Sequence, residues 1–121
     1  MAKILIVDDD HETATLLTGI VQANGHEAVS VNDSKNAISS AEDYHPDLIL
    51  LDIMMAEING IMLCKLIKSN PLLSNVPVMM VSALSDEGTK RDSANAGASG
   101  FVSKPIRMKD FAQQIDTVLA G

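Results

Sequence analysis

Residues 46–55 read PDLILLDIMM, in which the continuous apolar run 48–51 is flanked by Asp47 and Asp52. A strand with one solvent face alternates apolar and polar residues, whereas a parallel strand covered on both faces is apolar at every position. Residues 48–51 therefore predict a strand that is buried on both faces. Asp52 comes directly after this run, at the strand's carboxyl end.

The sequence has four other apolar runs: residues 4–7, 28–31, 78–81 and a weaker run around Phe101 and Val102. Segments with helical spacing of apolar residues separate them. Their members are Ala14, Leu17, Ile20, Val21 and Asn24; Ala37, Ala41 and Tyr44; Leu63, Cys64 and Ile67; and Met108, Phe111, Ile115, Val118 and Leu119. A fourth helix, about residues 86–96, contains Gly88 and few large apolar residues, so we expect it to be weakly held. Strand and helix alternate five times, which predicts an α/β fold: a doubly wound parallel sheet of five strands with five helices on its two faces.

Size and composition indicate one domain spanning residues 1–121. The chain is 46% apolar, enough to bury a single core. No apolar run approaches the ~20 residues of a membrane helix, and the N-terminus has no signal-peptide pattern. Cys64 is the single cysteine, which fits a reducing compartment and a core role. We therefore expect a cytoplasmic protein without membrane insertion, and no output domain after the last helix.

The charge pattern argues against direct nucleic-acid binding. The formal net charge is -7, and the nine Lys and Arg residues are scattered. Binding to nucleic acid requires clustered cations to displace counterions from phosphates. The chain has no Trp and only three Phe and Tyr residues, so a stacking platform for single-stranded nucleic acid is not expected either.

Chemistry-bearing residues follow the predicted strands. In open parallel sheets the functional site forms beyond the carboxyl ends of the strands. The set comprises Asp8, Asp9 and Asp10 after the first run, Asp52 after the third, Ser82 after the fourth and Lys104 beyond the fifth. Crowded carboxylates repel one another, and a hard divalent cation with oxygen ligands, Mg²⁺ (or Mn²⁺), relieves the repulsion.

Each of these residues also has a purely structural interpretation. Asp10 alone is best explained as the N-cap of the helix that follows it, Ser82 as a turn residue and Lys104 as solvated surface. These interpretations leave unexplained why Asp52 ends a buried run at the same edge as the other acids, the hydroxyl and the lysine.

Five segments, in order along nearly the whole chain, resemble the receiver domains of two-component response regulators, in particular single-domain chemotaxis receivers. They are ILIVDDD at 4–10, PDLILLDIMM at 46–55, NG at 59–60, PVMMVSA at 77–83 and GASGFVSKP at 97–105. The resemblance implies a flavodoxin-like sheet with strand order 2-1-3-4-5. It also implies a cis Lys104-Pro105 peptide bond.

The resemblance assigns a role to each matching residue. Asp52 would accept a phosphoryl group from a sensor histidine kinase or a histidine phosphotransfer protein. Metal ligands would be Asp9, Asp52 and the backbone carbonyl of Met54, with Asp8 acting mainly through water. The phosphoryl group would be bound by Lys104, Ser82 and Ala83, and Ser82 and Phe101 would form the switch.

The resemblance further implies a signalling phosphoacceptor rather than an enzyme, with only limited self-phosphorylation and self-dephosphorylation. Signalling would pass through a face formed by the fourth helix, fifth strand and fifth helix. It leaves the downstream protein partner unspecified and allows a phosphorylation-dependent dimer.

The loop after Asp52 departs from the family pattern. Ala56 stands where receivers usually have Pro, so we expect residues 53–59 to be less restricted. The loop and the next helix also hold more apolar residues than one inward face needs: Met54, Met55, Ile58, Ile61, Met62 and Leu66. A partner-binding patch and a locally thicker core explain this excess equally well.

Three other functions compete with a phosphoacceptor. In an aspartate-nucleophile phosphatase of the haloacid-dehalogenase type, Asp8 would attack and Asp10 would be acid and base, but Glu12 departs from that pattern and a cap insertion is lacking. A flavodoxin would need a phosphate to bind at an acidic loop. A receiver-like module that is never phosphorylated would have no need of an intact acid pocket.

Overall fold

The computed structural model describes residues 1–121. The strands are β1 (Lys3–Val7), β2 (Glu27–Val31), β3 (Leu48–Asp52), β4 (Val78–Ser82) and β5 (Gly100–Ser103). The helices are α1 (His11–Ala23), α2 (Ala37–Tyr44), α3 (Gly60–Ser69), α4 (Glu87–Asn95) and α5 (Met108–Ala120), and a 3₁₀ turn, Ser34–Asn36, precedes α2. None of these helices combines the length and apolarity needed to cross a bilayer.

The strands form one parallel sheet in the order β2-β1-β3-β4-β5, which confirms the predicted fold class and strand order. β3 lies at the centre between β1 and β4, and all five of its residues are buried. β2 is an edge strand and is mostly exposed. The carboxyl ends of β1, β3 and β4 therefore adjoin one another in the middle of one sheet edge.

Two separate cores explain why the central strands are apolar at every position. On β3, Ile49 and Leu51 belong to a cluster shared with α2 and α3, whereas Leu48 and Leu50 belong to a cluster shared with α1 and α5. Side chains alternate across a strand, so a sheet with helices on both faces buries both sets.

Several local details differ from the expectations. Asp52 and Ser82 are the last residues of β3 and β4 rather than the first beyond them, because their backbones continue the ladder opposite Val81 and Ser103. Asn24 is the exposed C-cap of α1, and its side-chain amide donates to the Ile20 carbonyl.

The starts of α2 and α5 also differ from what the sequence suggests. The Asp33-Ser34 pair predicts a cap of the second helix, but Asp33 caps the 3₁₀ turn before α2 and not the α-helix itself. Met108 begins α5 in an exposed position, whereas Phe111 and Ile115 of the same helix are buried as predicted.

Candidate functional site

Three carboxylates meet at the carboxyl edge of the two central strands. Asp8 directly follows β1 and Asp52 ends the adjacent β3, while Asp9 lies beside Asp8 in the loop to α1. Each contributes one oxygen to a group whose members all lie within 4.8 Å of one another. Asp8 and Asp52 are only 1% and 7% exposed, whereas Asp9 is open to solvent. The predicted acid pocket therefore forms, with two buried members and one accessible member.

Burial makes the ionised form of the two inner carboxylates costly. Desolvation, together with repulsion from Asp8, raises the pKa of Asp52 to about 6, although Lys104 acts in the opposite direction. Desolvation also raises the pKa of Asp8, against a hydrogen bond from the Asp10 backbone N–H and the attraction of Lys104. The Asp8 Oδ2 atom is buried and has no hydrogen-bond partner. The pocket thus holds more negative charge than its surroundings compensate.

Lys104 is the one cation that faces this pocket. Its Nζ lies 3.6 Å from Asp8 Oδ2 and 3.6 Å from Asp52 Oδ1, within ion-pair range but too far for a good hydrogen bond. The backbone holds the residue in place, since the Lys104 N–H donates to the Ser82 carbonyl at 2.8 Å. The following Lys104-Pro105 peptide bond is cis, as the resemblance implied.

The donor set suits a hard divalent cation. All three groups offer carboxylate oxygens, the ligand type that Mg²⁺ prefers, and Asp8 Oδ2 is an unpartnered buried acceptor. A single ammonium at 3.6 Å does not balance three carboxylates, so a bound dication would offset the remaining repulsion. The residues present therefore fit such an ion.

Ser82 and Phe101 occupy different positions relative to the acids. Ser82 ends β4, next to β3, and is fully buried, with its Oγ accepting a hydrogen bond from the Leu84 N–H at 3.0 Å. Phe101 lies on β5 and is half-buried against the core cluster under α2 and α3, with the Lys90 ammonium 6.0 Å from its ring centroid. The structure thus brings Asp8, Asp9, Asp52 and Lys104 together and leaves Phe101 in the neighbouring core.

Asp10 is a helix cap and not part of the acid group. It is the N-cap of α1, where its carboxylate accepts hydrogen bonds from Thr13 Oγ1 at 2.8 Å and from the Glu12 N–H at 3.2 Å. These bonds, that of Thr13 first, lower the Asp10 pKa. A carboxylate held in its ionised form is poorly suited to the acid and base role that the phosphatase alternative requires.

The loop after Asp52 contains contacts that sequence reasoning missed. A Cβ on Gly60 would collide with the Asp52 carbonyl oxygen and lie 2.7 Å from Ile53 Cα, so only glycine fits where α3 begins. The Gly60 N–H donates to the Ile53 carbonyl at 2.8 Å. The Asn59-Gly60 pair was the available signal, but its reason, the close approach of two backbones beneath the acid, is tertiary.

The apolar excess around α3 is partly core and partly surface. Met54, Met62 and Leu66 are 62%, 51% and 45% exposed, while Met55, Ile58 and Ile61 pack partly buried against the core. The inward face is Leu63, Cys64 and Ile67 as predicted. The thicker core therefore accounts for Met55, Ile58 and Ile61, whereas a partner on the exposed Met54, Met62 and Leu66 stays a prediction.

Comparison with known proteins places the chain in a family. Residues 4–116 match the family model of the response regulator receiver domain. The polar-differentiation response regulator DivK of Brucella ovis is 30% identical over 97% of this chain and 95% of its own length. The alkaline phosphatase synthesis transcriptional regulatory protein PhoP of Bacillus subtilis is 31% identical over 97% of this chain, but over only 48% of its own length.

The solved structures agree with the sequence comparison. The crystal structure of a putative response regulator from Chloroflexus aurantiacus superposes with a TM-score of 0.94 at 28% identity, covering 99% of this chain and 98% of that one. The chain belongs to the response regulator receiver family. Receiver domains are signalling phosphoacceptors that receive phosphoryl groups from histidine kinases and bind Mg²⁺ at an acidic pocket.

Proposed function

We propose that residues 1–121 act as a single receiver domain in the cytoplasm, taking a phosphoryl group onto Asp52 from a sensor histidine kinase or a histidine phosphotransfer protein. The observation that carries this proposal is the placement of Asp52. Its carboxylate ends the central strand, grouped within 4.8 Å with those of Asp8 and Asp9 and 3.6 Å from the Lys104 ammonium.

The transfer is a displacement at phosphorus. A carboxylate oxygen of Asp52 forms the new P–O bond while the P–N bond of the donor phosphohistidine breaks and its electron pair returns to the imidazole. A pKa of about 6 leaves most of Asp52 ionised at neutral pH and makes it more basic than an ordinary aspartate. Its burial also removes water that would solvate the attacking oxygen.

A divalent cation, Mg²⁺ or Mn²⁺, would be held by Asp9, Asp52 and the Met54 carbonyl with Asp8 behind them, and would supply positive charge for the transferring phosphoryl oxygens. Lys104, which directly follows β5, supplies a second positive charge. Its ammonium already faces Asp52 Oδ1 at 3.6 Å, so it need move little to reach an oxygen of the new acyl phosphate.

Ser82 and Ala83 would bind the phosphoryl group after transfer. The Ser82 hydroxyl accepts its hydrogen bond from Leu84, so its own hydrogen remains free to donate to a phosphoryl oxygen. The Ala83 backbone N–H would donate beside it. This change at the end of β4 would draw the following loop toward Asp52, with Phe101 changing rotamer in response.

The segment most easily shifted by that change is α4. Among the residues of this helix only Ser93 is buried, so little packing energy resists its movement. We expect phosphorylation to alter amide exchange in Glu87–Asn95 more than elsewhere, and the altered face of α4, β5 and α5 to bind the downstream partner or a second phosphorylated copy. An unchanged α4, with exchange altered elsewhere, would contradict this route.

The test of the phosphoacceptor is direct. The protein is incubated with acetyl phosphate and Mg²⁺ and its intact mass is measured, in parallel with Asp52→Asn, with Asp86→Asn and with EDTA. We expect one phosphoryl group on the wild type and on Asp86→Asn, and none on Asp52→Asn or with EDTA.

The same proteins are then incubated with a phosphorylated histidine kinase domain, so that the comparison of wild type and variants is repeated with a protein as the phosphoryl donor. Folding of each variant is checked by circular dichroism. A folded wild type that gains no phosphoryl group from either donor would support the alternative of a receiver-like module that is never phosphorylated. A gain that survives Asp52→Asn would place the acceptor elsewhere.

A further inference from the structure

The Ala56 backbone contacts one of the three pocket acids. Its N–H donates to Asp9 Oδ2 at 2.9 Å, across 47 positions of sequence. No other hydrogen bond holds the Asp9 carboxylate, and Asp9 is the one exposed member of the acid group. The rotamer of Asp9 therefore depends on a backbone donor in the loop that follows Asp52.

The same peptide segment is anchored from its other side. The Ala56 carbonyl accepts a hydrogen bond from Ser34 Oγ at 3.0 Å and another from the Ile58 N–H at 2.9 Å. Ser34 itself is buried in the 3₁₀ turn before α2. Glu57, the next residue, takes a left-handed backbone conformation with φ 72°. The Ala56 N–H thus donates to Asp9 from a loop whose path is set by two further hydrogen bonds and a left-handed residue.

We propose that Ala56 is a positioning residue for the divalent-cation site: its N–H holds Asp9 Oδ2, which fixes the carboxylate and leaves the second oxygen to the ion. The inference rests on the proposed function, because it needs an ion among Asp8, Asp9 and Asp52. Hydrogen bonds to a ligating carboxylate orient it and spare the rotamer entropy that ion binding would otherwise cost.

The residue type at position 56 decides whether this contact can exist. Proline, which the receiver pattern usually has there, carries no backbone N–H and cannot donate. In this chain the departure from the pattern therefore adds a hydrogen bond at the pocket. A loop without the proline ring is restrained instead by Asp9 on one side and Ser34 on the other.

The test compares two substitutions at this exposed position. Ala56→Pro removes the N–H, whereas Ala56→Ser retains it on a side chain of similar size. Mg²⁺ affinity is measured by isothermal titration calorimetry, with folding checked in EDTA. We expect Ala56→Pro to weaken Mg²⁺ binding about 10-fold and Ala56→Ser to change it less than about 2-fold.

A second measurement does not depend on whether Ala56→Pro folds. Amide exchange at Ala56 is followed by NMR in the metal-free wild type and in Asp9→Ala, with Gly60 as the reference amide because it donates to Ile53 instead. We expect exchange at Ala56 to become about 10-fold faster in Asp9→Ala while Gly60 is little changed. Equal exchange at Ala56 in the two proteins would overturn the proposal.

The outcomes separate this inference from the proposed function. A wild type that binds no Mg²⁺ contradicts the metal site itself. A wild type that binds Mg²⁺, with Ala56→Pro binding equally well, contradicts only the role of Ala56. Equal weakening by Ala56→Pro and Ala56→Ser would also overturn it, because the serine variant keeps the donor.

Discussion

Aspartates occupy two regions of this molecule with opposite consequences. In the acid pocket, burial raises the pKa of both Asp8 and Asp52. At the starts of α1 and α4, Asp10 and Asp86 are exposed N-caps that accept hydrogen bonds from the residues following them, chiefly Thr13 and Thr89, and these bonds lower their pKa. An aspartate side chain therefore destabilises the fold in the pocket and stabilises it at the helix starts.

The difference follows from what surrounds each charge. An N-cap carboxylate keeps its water and gains the unpaired N–H groups of a helix start. A pocket carboxylate loses water and gains a second carboxylate beside it, and Lys104 together with backbone N–H groups compensates only in part. A cluster that costs stability in the unbound protein is available to bind a cation and a phosphoryl group, which is the use proposed for it.

The largest expected effect concerns backbone packing under the pocket. Gly60→Ala places a Cβ against the Asp52 carbonyl, so we expect the free energy of unfolding to fall by about 3 kcal/mol. Gly19→Ala on the exposed face of the Asp10-capped α1 has nothing within 4 Å and should instead gain about 0.5–1 kcal/mol. Urea unfolding measures both changes. If Gly60→Ala left the free energy of unfolding unchanged, the backbone under the pocket would be less tightly packed than the structure indicates.

Neutralising the acceptor should stabilise the metal-free protein. The folded-state pKa of Asp52, about 6, lies above its unfolded value, so its ionised form opposes folding at pH 7. We expect Asp52→Asn in EDTA to raise the free energy of unfolding by about 2 kcal/mol. Loss of stability in Asp52→Asn would mean that the ion pair with Lys104 outweighs burial and repulsion.

The gain from Asp52→Asn should depend on pH in a defined direction. Between the unfolded and folded pKa values the folded state binds more protons, so the Asp52 contribution to stability falls as pH rises from about 4 to about 6. We expect the stability difference between Asp52→Asn and wild type to shrink by about 1 kcal/mol on going from pH 7 to pH 5. Urea titrations of both proteins in EDTA at the two pH values measure it, and a constant difference would exclude a raised pKa.

The smallest effect is expected at the caps. Asp86→Ala removes the acceptor for the Thr89 N–H and Oγ1, so we expect the Tm to fall by about 3 °C, while Asp86→Asn retains an acceptor and should lose less. Thermal unfolding followed by circular dichroism gives both values. A rise in Tm for Asp86→Ala would contradict the conclusion that the capping aspartates stabilise the fold while the pocket aspartates destabilise it.

Most of the architecture was accessible from sequence because it follows from pattern. The apolar runs at β1, β3 and β4 correspond to buried strands, and the spacing of Leu63, Cys64 and Ile67 gave the inner face of α3. The position of Asp10 as a cap was also predicted correctly. Such features depend on neighbours a few residues apart, where side-chain periodicity and local hydrogen bonding decide the outcome.

The contacts that sequence reasoning missed join distant segments. Nothing in the sequence indicates that Ser34 would hold the Ala56 carbonyl, or that the Ala56 N–H would hold Asp9. The sequence also left open which apolar side chains around α3 are exposed. The exposed ones are Met54, Met62 and Leu66, and the partly buried ones are Met55, Ile58 and Ile61. The hydrogen bonds depend on how the loop after β3 packs against the 3₁₀ turn before α2 and the loop after β1, which no local pattern records.

The sequence by itself determined the alternation of strands and helices, the acids and lysine that the strand ends deliver to one edge, and the family to which the chain belongs. Only the tertiary structure decided which acids lose their water, how near Lys104 lies to them and which backbone donors hold the accessible carboxylate. The physical reason is the sequence separation over which each interaction acts. Periodicity and capping act over a few residues, whereas desolvation and charge repulsion depend on distances between segments that the folded sheet alone brings together.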